Sequence, residues 1–132
     1  MFKPRLYQYE LPGGWNALAG ATDEDNDYLS TELAQPGDWW FHAEGVPGSH
    51  VILRARRGED PSEATLQQAA AVAAYHSKSR RAGTVGVYCT RARHVTKPRG
   101  AKVGTVHVAK GTVLKVRPDI SFATRVSGDA PP

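Results

Sequence analysis

The chain has 132 residues, and a chain of this length forms one domain that hides about two thirds of its unfolded surface on folding. The residues after Met1 do not have the pattern of a signal peptide, in which a charged segment precedes an apolar one. No apolar run approaches the roughly 18 residues that a membrane span needs. The sequence therefore predicts a soluble, cytoplasmic protein. The single cysteine, Cys89, excludes an internal disulfide and gives no basis for a cysteine-based metal site.

Charge is distributed unevenly along the chain, although the net charge is only +4. Residues 64–118 contain eleven basic and no acidic residues (+11), whereas the remainder contains six basic and thirteen acidic residues (−7). A segment this positive attracts polyanions and gains from the release of their counterions. The pattern favours a nucleic-acid partner, and a basic face without that function is the alternative.

The first two predicted elements are strands on either side of a turn at residues 12–14, Pro-Gly-Gly. Residues 6–9 and 15–18 are rich in bulky, strand-favouring side chains, which is typical of a hairpin. A short helix follows, with Thr22 or Asp23 as its N-cap and acidic residues in its first turn. Its predicted buried side comprises Tyr28, Leu29 and Leu33, and Pro36 with Gly37 ends it.

The stretch DWWFHAEGVPGSHVILR, residues 38–54, predicts a second hairpin that is symmetric about Val46. In that register His42 faces His50 across the two strands. Side chains alternate between the faces of a sheet, so Trp39, Phe41, Val51 and Leu53 are expected in the core. The opposite face is predicted to carry Trp40, His42, His50, Ile52 and Arg54. Because a core would not select this mixture of aromatic, imidazole and guanidinium side chains, we predict that this face is a ligand-binding surface.

Residues 60–82 predict a long helix with Asp60 as N-cap, Pro61 in the first turn and Gly83 as C-cap. Its narrow face of small residues suits close packing on a sheet. Its last turn carries Lys78, Arg80 and Arg81. These cations complement the helix dipole, but three on one turn exceed that need.

The remaining segments predict a strand, a basic connection and a closing hairpin. The strand places Cys89 on its apolar side, which predicts an inert thiol, and the basic connection includes Arg93, Lys97, Arg99 and Lys102. The closing hairpin is predicted across Lys110 and Gly111. Residues 125–132 are predicted to be a disordered tail, which leaves a domain of residues 1–124. The fold class is therefore α+β, a single domain with a mostly antiparallel sheet, one long helix and one short helix.

Several kinds of chemistry can be weighed on these residues. His42 and His50 could supply two metal ligands, but no third ligand and no HExxH or CxxC spacing is evident, so we expect no metal and no cofactor. The phosphate-loop pattern GxxxxGK[ST] is absent. Aromatic side chains beside cations are the features by which unpaired RNA is held, with rings stacking on bases and cations following phosphates.

Three motifs in order resemble the NFACT-R domain, the RNA-binding module at the C-terminal end of fibronectin-binding-like and ribosome quality-control NFACT proteins. They are GDWWFHAEGVPGSHVILR, AAYHSKSR and KPRGAKVG, and the resemblance runs from about Trp15 to Pro118. It implies binding of RNA, with tRNA or rRNA as the expected class, in translation quality control or RNA metabolism. Longer relatives add an N-terminal domain, helix-hairpin-helix elements and a coiled coil. We expect a free-standing module, to which the tail-elongating activity does not carry over.

The family's characteristic positions are matched by Asn26, Asp27, His42, Gly48, Ser49, His50, Ser77, Lys78, Lys97, Pro98, Gly100, Ala101 and Lys102. Two departures are evident. Ala21 and Thr22 follow Gly20 where the family usually has an Arg-Asn pair, and Cys89 stands where an aromatic residue is usual.

These observations lead to the hypothesis of a non-catalytic RNA-binding domain whose partners are RNA, the ribosome or RNA-modification proteins. The expected RNA-binding residues are Trp40, His42, His50, Lys78, Arg80, Arg81, Arg93, Lys97, Arg99 and Lys102. The expected loop-shaping residues are Asn26, Asp27, Gly48 and Ser49. Two alternatives stay open: an RNA-modifying enzyme, or an accessory to one, that uses His42, His50 or Cys89 (for example in thiolation), and a protein-interaction domain that binds a ribosomal partner.

Overall fold

The computed structural model describes residues 2–127. Seven strands form one antiparallel sheet, in the order β8-β5-β3-β4-β2-β1-β9, and β6 pairs with β7 in a small second sheet. The strands are β1 (Leu6–Leu11), β2 (Trp15–Gly20), β3 (Trp39–Ala43), β4 (Val51–Leu53), β5 (Val85–Arg91), β6 (Val95–Thr96), β7 (His107–Val108), β8 (Thr112–Val116) and β9 (Thr124–Ser127). The helices are α1 (Asp23–Tyr28), which continues into a π-helical turn (Leu29–Leu33), and α2 (Glu63–Tyr75), and a 3-10 turn spans Ala92–His94. The predicted α+β class, with one long and one short helix, is confirmed.

The first hairpin, β1–β2, forms as predicted. Gly14 N donates to the Leu11 carbonyl at 2.9 Å, and Gly13 and Gly14 adopt φ values of 85° and 80°. Residues with a Cβ rarely adopt these angles, so the two glycines make the tight turn possible. Thr22 is the N-cap of helix α1: its side chain accepts from Asp25 N while the Asp25 side chain accepts from Thr22 N, which completes a capping box.

The β3–β4 hairpin has the predicted register. Trp39 pairs with Leu53 and Phe41 with Val51, so the pairing is symmetric about Val46. His42 and His50 lie one position beyond the last ladder pair. Phe41, Val51 and Leu53 belong to the main hydrophobic core, as expected from the alternation of side chains.

Helix α2 covers this core face with a run of buried alanines and Val72. Two predicted boundaries are wrong. The N-cap is Ser62, whose side chain accepts from Thr65 N, and not Asp60. The helix ends at Tyr75 with His76 as C-cap, instead of continuing to residue 82 with Gly83 as C-cap. The early end has a tertiary cause: residues 47–49 pair with residues 76–78, with Lys78 N donating to the Pro47 carbonyl and Ser49 N to the His76 carbonyl.

The opposite face of the sheet is also buried, which corrects the prediction of an open surface there. Leu18, Leu29, Trp40 and Ile52 form a second hydrophobic cluster, and the π-helical turn and the two-stranded sheet cover it. Trp40 is only 3% exposed. The main sheet therefore has packed layers on both faces.

The predicted hairpin across Lys110 and Gly111 is wrong. β7 pairs with β6 in the small sheet, whereas β8 pairs with β5 in the main sheet, so the chain passes from one sheet to the other at this point. Lys110 has φ 57°, and a Cβ on Gly111 would lie 2.5 Å from the Cys89 carbonyl oxygen. A turn and a close approach between backbones thus account for these two residues.

The C-terminal prediction is wrong in part, because residues 125–127 belong to β9, which pairs with β1. The rest of the predicted tail, residues 128–132, lies outside the described residues. Within the described chain, neither helix has the length and apolar character that crossing a membrane requires.

Candidate nucleic-acid interface

Three adjoining cavities surround the β3–β4 turn, and we call them together the turn cleft. The first, of about 310 Å³, lies between Tyr7, Asn26, His76, Lys78 and Arg80. The second, of about 200 Å³, lies between His42, Lys102 and Val103. The first two share Asp23, Pro47 and Gly48 as lining residues. The third, of about 380 Å³, shares His42, His50, Gly104 and Thr105 with the second and extends to Tyr88.

A buried hydrogen-bonded cluster forms the floor of the second and third cavities. The Trp40 indole Nε1 donates to Ser30 Oγ at 2.8 Å, and Ser30 Oγ lies 2.7 Å from His50 Nδ1. Because Ser30 Oγ already accepts a hydrogen bond from the Trp40 indole, the Ser30 hydroxyl is satisfied when it donates its own hydrogen bond to His50 Nδ1. The expectation that Trp40 stacks on a base is therefore corrected, because this ring is buried and holds His50 in position.

The two histidines differ in their access to a ligand. The ring of His50 is buried, and its centroid lies 5.5 Å from that of the half-buried His42 ring in an edge-on arrangement. Burial lowers the pKa of His42, and burial together with the neighbouring His42 lowers the pKa of His50 to about 4. Both imidazoles are therefore neutral at pH 7, and His42 is the one that a ligand can reach. It would recognise that ligand by hydrogen bonding and not by charge.

Lys97 does not present a free ammonium to solvent. Its Nζ lies 3.1 Å from Asp27 Oδ2 and donates to the carbonyls of Thr105, at 2.7 Å, and of Lys102. The side chain thus links the middle and the end of the 98–105 loop to helix α1. This differs from the expectation that Lys97 holds a phosphate, because its donors are already used within the protein.

The first cavity combines fixed backbone with cationic side chains. Arg80 Nε donates to the Tyr75 carbonyl at 2.7 Å, and its guanidinium lies 4.1 Å over the Tyr75 ring. Lys78 is exposed. Ser49 Oγ donates to the Gly20 carbonyl at 2.6 Å, and a Cβ on Gly48 would lie 2.8 Å from Ser77 Cβ, so only glycine fits at this crossing.

The other cations predicted as a single surface are separated. Lys78 and Arg80 line the first cavity and Lys102 the second. Arg93 lines a different cavity beside Ser30 and Pro36. Arg81 and Arg99 are exposed and form no ion pair or side-chain hydrogen bond with residues 2–127. The turn cleft therefore gathers only part of the predicted set.

Sequence reasoning missed two polar networks beside the cleft. His76 Nε2 lies 2.7 Å from the Tyr9 hydroxyl, and the Tyr7 ring stacks on His76 at 4.8 Å. Burial and the nearby Arg80 and Arg125 charges lower the pKa of His76 to about 4. Ser30 was also missed, and no local signal identifies it because its partners lie 10 and 20 residues away. His76 could have been noticed as a histidine next to a run of buried alanines.

Asp38 is a third residue that was missed, and it has a structural role. Its carboxylate is buried and accepts from Gln35 N at 2.8 Å and from Ala55 N at 2.7 Å, with Arg54 3.3 Å away. An acidic residue directly before an apolar strand was the available signal.

Cys89 lies on the core side of β5, as predicted from the alternation of side chains. It is 4% exposed, and burial raises the pKa of its thiol to about 12. A neutral, buried thiol is a poor nucleophile. Among residues 2–127, no three His, Cys, Asp or Glu side chains lie together in a way that could hold a metal ion.

The chain is similar to known proteins over most of its length. It is 40% identical over 116 residues to the Rqc2 homolog RqcH of Bacillus subtilis and 39% identical over 116 residues to that of Streptococcus suis; each match covers 88% of this chain and 20% of the relative. The chain thus spans about a fifth of the length of these relatives. The C-terminal part of the fibronectin/fibrinogen-binding protein from Streptococcus suis has the same fold, with a TM-score of 0.82 and 34% identity over 90% of this chain and 47% of that one.

The family model for the NFACT protein RNA binding domain matches residues 6–110, which include the β3–β4 turn, the end of α2 and the 98–105 loop. These segments form the turn cleft and the anchor of the adjoining loop. The chain belongs to the family of NFACT RNA-binding domains.

Proposed function

We propose that this domain binds structured RNA, such as tRNA or rRNA, in the turn cleft. The observation that carries this proposal is the position of the accessible, neutral His42 between cations on both sides of the β3–β4 turn, Lys78 and Arg80 at one end and Lys102 at the other. Lysine and arginine neutralise phosphates and release counterions. A neutral imidazole can donate to and accept from base edges and 2′-hydroxyls.

The contacts divide into binding and supporting roles. Lys78, Arg80, Arg81, Arg99 and Lys102 hold phosphates, and His42 contacts a base or a ribose. Lys97 and Asp27 shape the 98–105 loop, which brings Lys102 and Gly104 to the cleft. His50 and Trp40 act from beneath by fixing the position of the His42 ring, with which both are in contact.

We further propose that the domain serves translation quality control in the cytoplasm. This rests on the identity of 34–40% to proteins named Rqc2 homolog RqcH, of which the chain spans about a fifth. The domain would contribute RNA contacts to such a role, either alone or as part of a larger assembly with a ribosomal partner.

Binding of tRNA by the purified chain, measured over a series of salt concentrations, tests the proposal. The double variant Lys78→Glu with Lys102→Glu is expected to weaken binding and to flatten the plot of log K against log[salt], because each lost phosphate contact removes roughly 0.9 from its slope on a duplex. Lys115→Glu with Arg117→Glu is the matched control, because it changes the net charge by the same four units and both residues are exposed and line a separate groove beside α2.

Equal losses in the double variant and the control would overturn the placement of the interface in the turn cleft. Failure of the purified chain to bind any RNA would instead favour the protein-interaction alternative.

A further inference from the structure

The first cavity contains a buried amide that the fold leaves with unused donors. Asn26 is 4% exposed and lines this cavity. Its Oδ1 accepts from His50 N at 3.0 Å, and this contact fixes which end of the amide is oxygen. Its Nδ2 donates no hydrogen bond to residues 2–127. Among residues 2–127, Asn26 Nδ2 is not one of the fully buried side-chain atoms without a partner, so it is open to the cavity and can donate to a ligand that carries an acceptor.

Two cations lie at the rim of the same cavity. Lys78 is exposed, and its main chain is fixed by the hydrogen bond from Lys78 N to the Pro47 carbonyl. Arg80 uses Nε on the Tyr75 carbonyl, and its other guanidinium nitrogens make no hydrogen bond within the described residues. One acidic residue, Asp23, stands at the boundary with the second cavity, where its side chain lies close against Gly104. The cavity therefore offers a neutral amide donor in its wall and positive charge at its rim.

The size of the cavity selects among RNA elements. A volume of about 310 Å³ is at the lower end of small-molecule sites, which begin at about 300 Å³. It can admit one nucleotide but not a base pair with its two backbones. A phosphate would keep to the solvated rim with the cations, because burying a charge is far more costly than burying a neutral group. The neutral base, with its ring-nitrogen and carbonyl acceptors, suits the amide in the wall.

We propose that the first cavity is a subsite for a single unpaired nucleotide of the bound RNA, with its base on Asn26 Nδ2 and its phosphate on Lys78 and Arg80. This inference rests on the proposed RNA-binding function and narrows it to RNA with an unpaired or extruded nucleotide. Enzymes and loop-binding proteins gain selectivity from such extruded bases, since a paired base cannot enter.

Two variants separate the subsite from general RNA affinity. Asn26→Asp retains the oxygen that accepts from His50 N but replaces the donor with an acceptor, and exposed Asn16→Asp is its matched control. Ala21→Leu fills the cavity without removing a hydrogen bond, because only the backbone of Ala21 is bonded, to the Arg5 carbonyl. Ala64→Leu, on the exposed side of α2, is its control.

The experiment is an NMR titration of the ¹⁵N-labelled chain with adenosine and uridine 5′-monophosphates and, separately, with inorganic phosphate. We expect a mononucleotide to shift the Asn26 side-chain amide pair, which Asn26→Asp identifies by its disappearance, together with the Gly48 and Ser77 amides. Asn26→Asp and Ala21→Leu should weaken mononucleotide binding roughly tenfold or more, as the loss of a hydrogen bond to a buried group predicts. The two controls should bind as the wild type does.

Each contrary outcome has its own meaning. If inorganic phosphate binds as tightly as the mononucleotides and causes the same shifts, the cavity holds phosphate alone and the nucleotide subsite is wrong. If tRNA binds the wild type but neither mononucleotide moves the Asn26 amide, the subsite is wrong and the RNA-binding function stands. If neither tRNA nor mononucleotide binds, both proposals fail.

Discussion

The Lys97 ammonium lies 3.1 Å from the Asp27 carboxylate and at the same time donates to the Lys102 carbonyl, in the middle of the 98–105 loop, and to the Thr105 carbonyl, at its end. One side chain thus links helix α1 to the loop that carries Lys102 and Gly104 into the turn cleft. The family motif KPRGAKVG begins with this lysine. Its ammonium has partners within the protein, so a cation at this position has a structural role even when no phosphate is bound. Charge reversal at Lys97 would place two acidic groups against each other.

We predict that Lys97→Met loosens the loop. The free energy of unfolding should fall by about 1–3 kcal/mol, from the loss of the half-buried ion pair and two hydrogen bonds. Amide hydrogen exchange in residues 98–105 should accelerate. Arg99→Met is the matched control, because Arg99 is exposed and should change stability by less than about 0.5 kcal/mol. Equal exchange rates in the two variants would show that Lys97 does not anchor the loop.

Ser30→Ala tests the cluster beneath His42. It should lower the free energy of unfolding by about 1–3 kcal/mol, because the Trp40 indole N–H and His50 Nδ1 both lose their partner in a buried site. Urea unfolding measures the change, and Thr84→Ala at an exposed position is the control. A second effect is expected in function: RNA affinity should fall although Ser30 is buried. Stability equal to that of the control would contradict the role of this cluster.

Stability should decrease as the pH falls from about 6.5 to about 4. Burial lowers the pKa of both His50 and His76 from 6.5 to about 4, so the unfolded chain binds more protons than the folded chain within this window. The stability that these two histidines contribute is complete above pH 6.5 and is lost as the pH falls towards 4. The free energy of unfolding changes by no more than about 1.4 kcal/mol per pH unit for each group. Urea midpoints over this range give the slope.

The matched histidine variants assign this slope to residues. His76→Gln should lower stability at pH 7 but flatten the pH dependence, whereas His107→Gln, at an exposed position, should leave the dependence unchanged. If the His76→Gln profile ran parallel to the wild-type profile, His76 would not be a source of acid sensitivity.

Cys89 should be unreactive in the folded protein. The thiol is buried and its pKa is raised to about 12, so iodoacetamide at pH 8 should modify it only after unfolding. Cys89→Ala should retain RNA affinity. Rapid alkylation of the native chain, or a loss of RNA-dependent turnover in Cys89→Ala, would revive the alternative of a thiol-dependent modifying enzyme.

Patterns with a local cause were predicted correctly from the sequence. The β3–β4 register followed from the symmetry of the apolar arms about Val46, and the polar and acidic residues at the start of α1 limited its N-cap to Thr22 or Asp23, of which the structure has Thr22. Both depend on interactions within a few residues or across one turn. The placement of Cys89 on the core side followed equally from strict alternation along β5.

The errors have tertiary causes. The alternation of side chains assigned Trp40 to the correct face but could not show that the π-helical turn and the small sheet cover that face. Helix α2 ends at Tyr75 because the chain after it pairs with residues 47–49, although the residues up to 82 favour helix. Lys110 and Gly111 have the composition of a hairpin turn, yet the strands on either side pair with different partners. None of these contacts is encoded by neighbouring residues.

The crossing of Gly48 and Ser77 has a consequence for selectivity. The first and second cavities meet at Asp23, Pro47 and Gly48, and at Gly48 the boundary is main chain paired with Ser77, which does not move aside as a side-chain rotamer does. The distance between the first and second cavities is therefore fixed by the backbone. If RNA occupies both cavities as proposed, its own torsion angles must adjust to that distance, and we expect polymers with a stiffer or differently spaced repeat to bind more weakly.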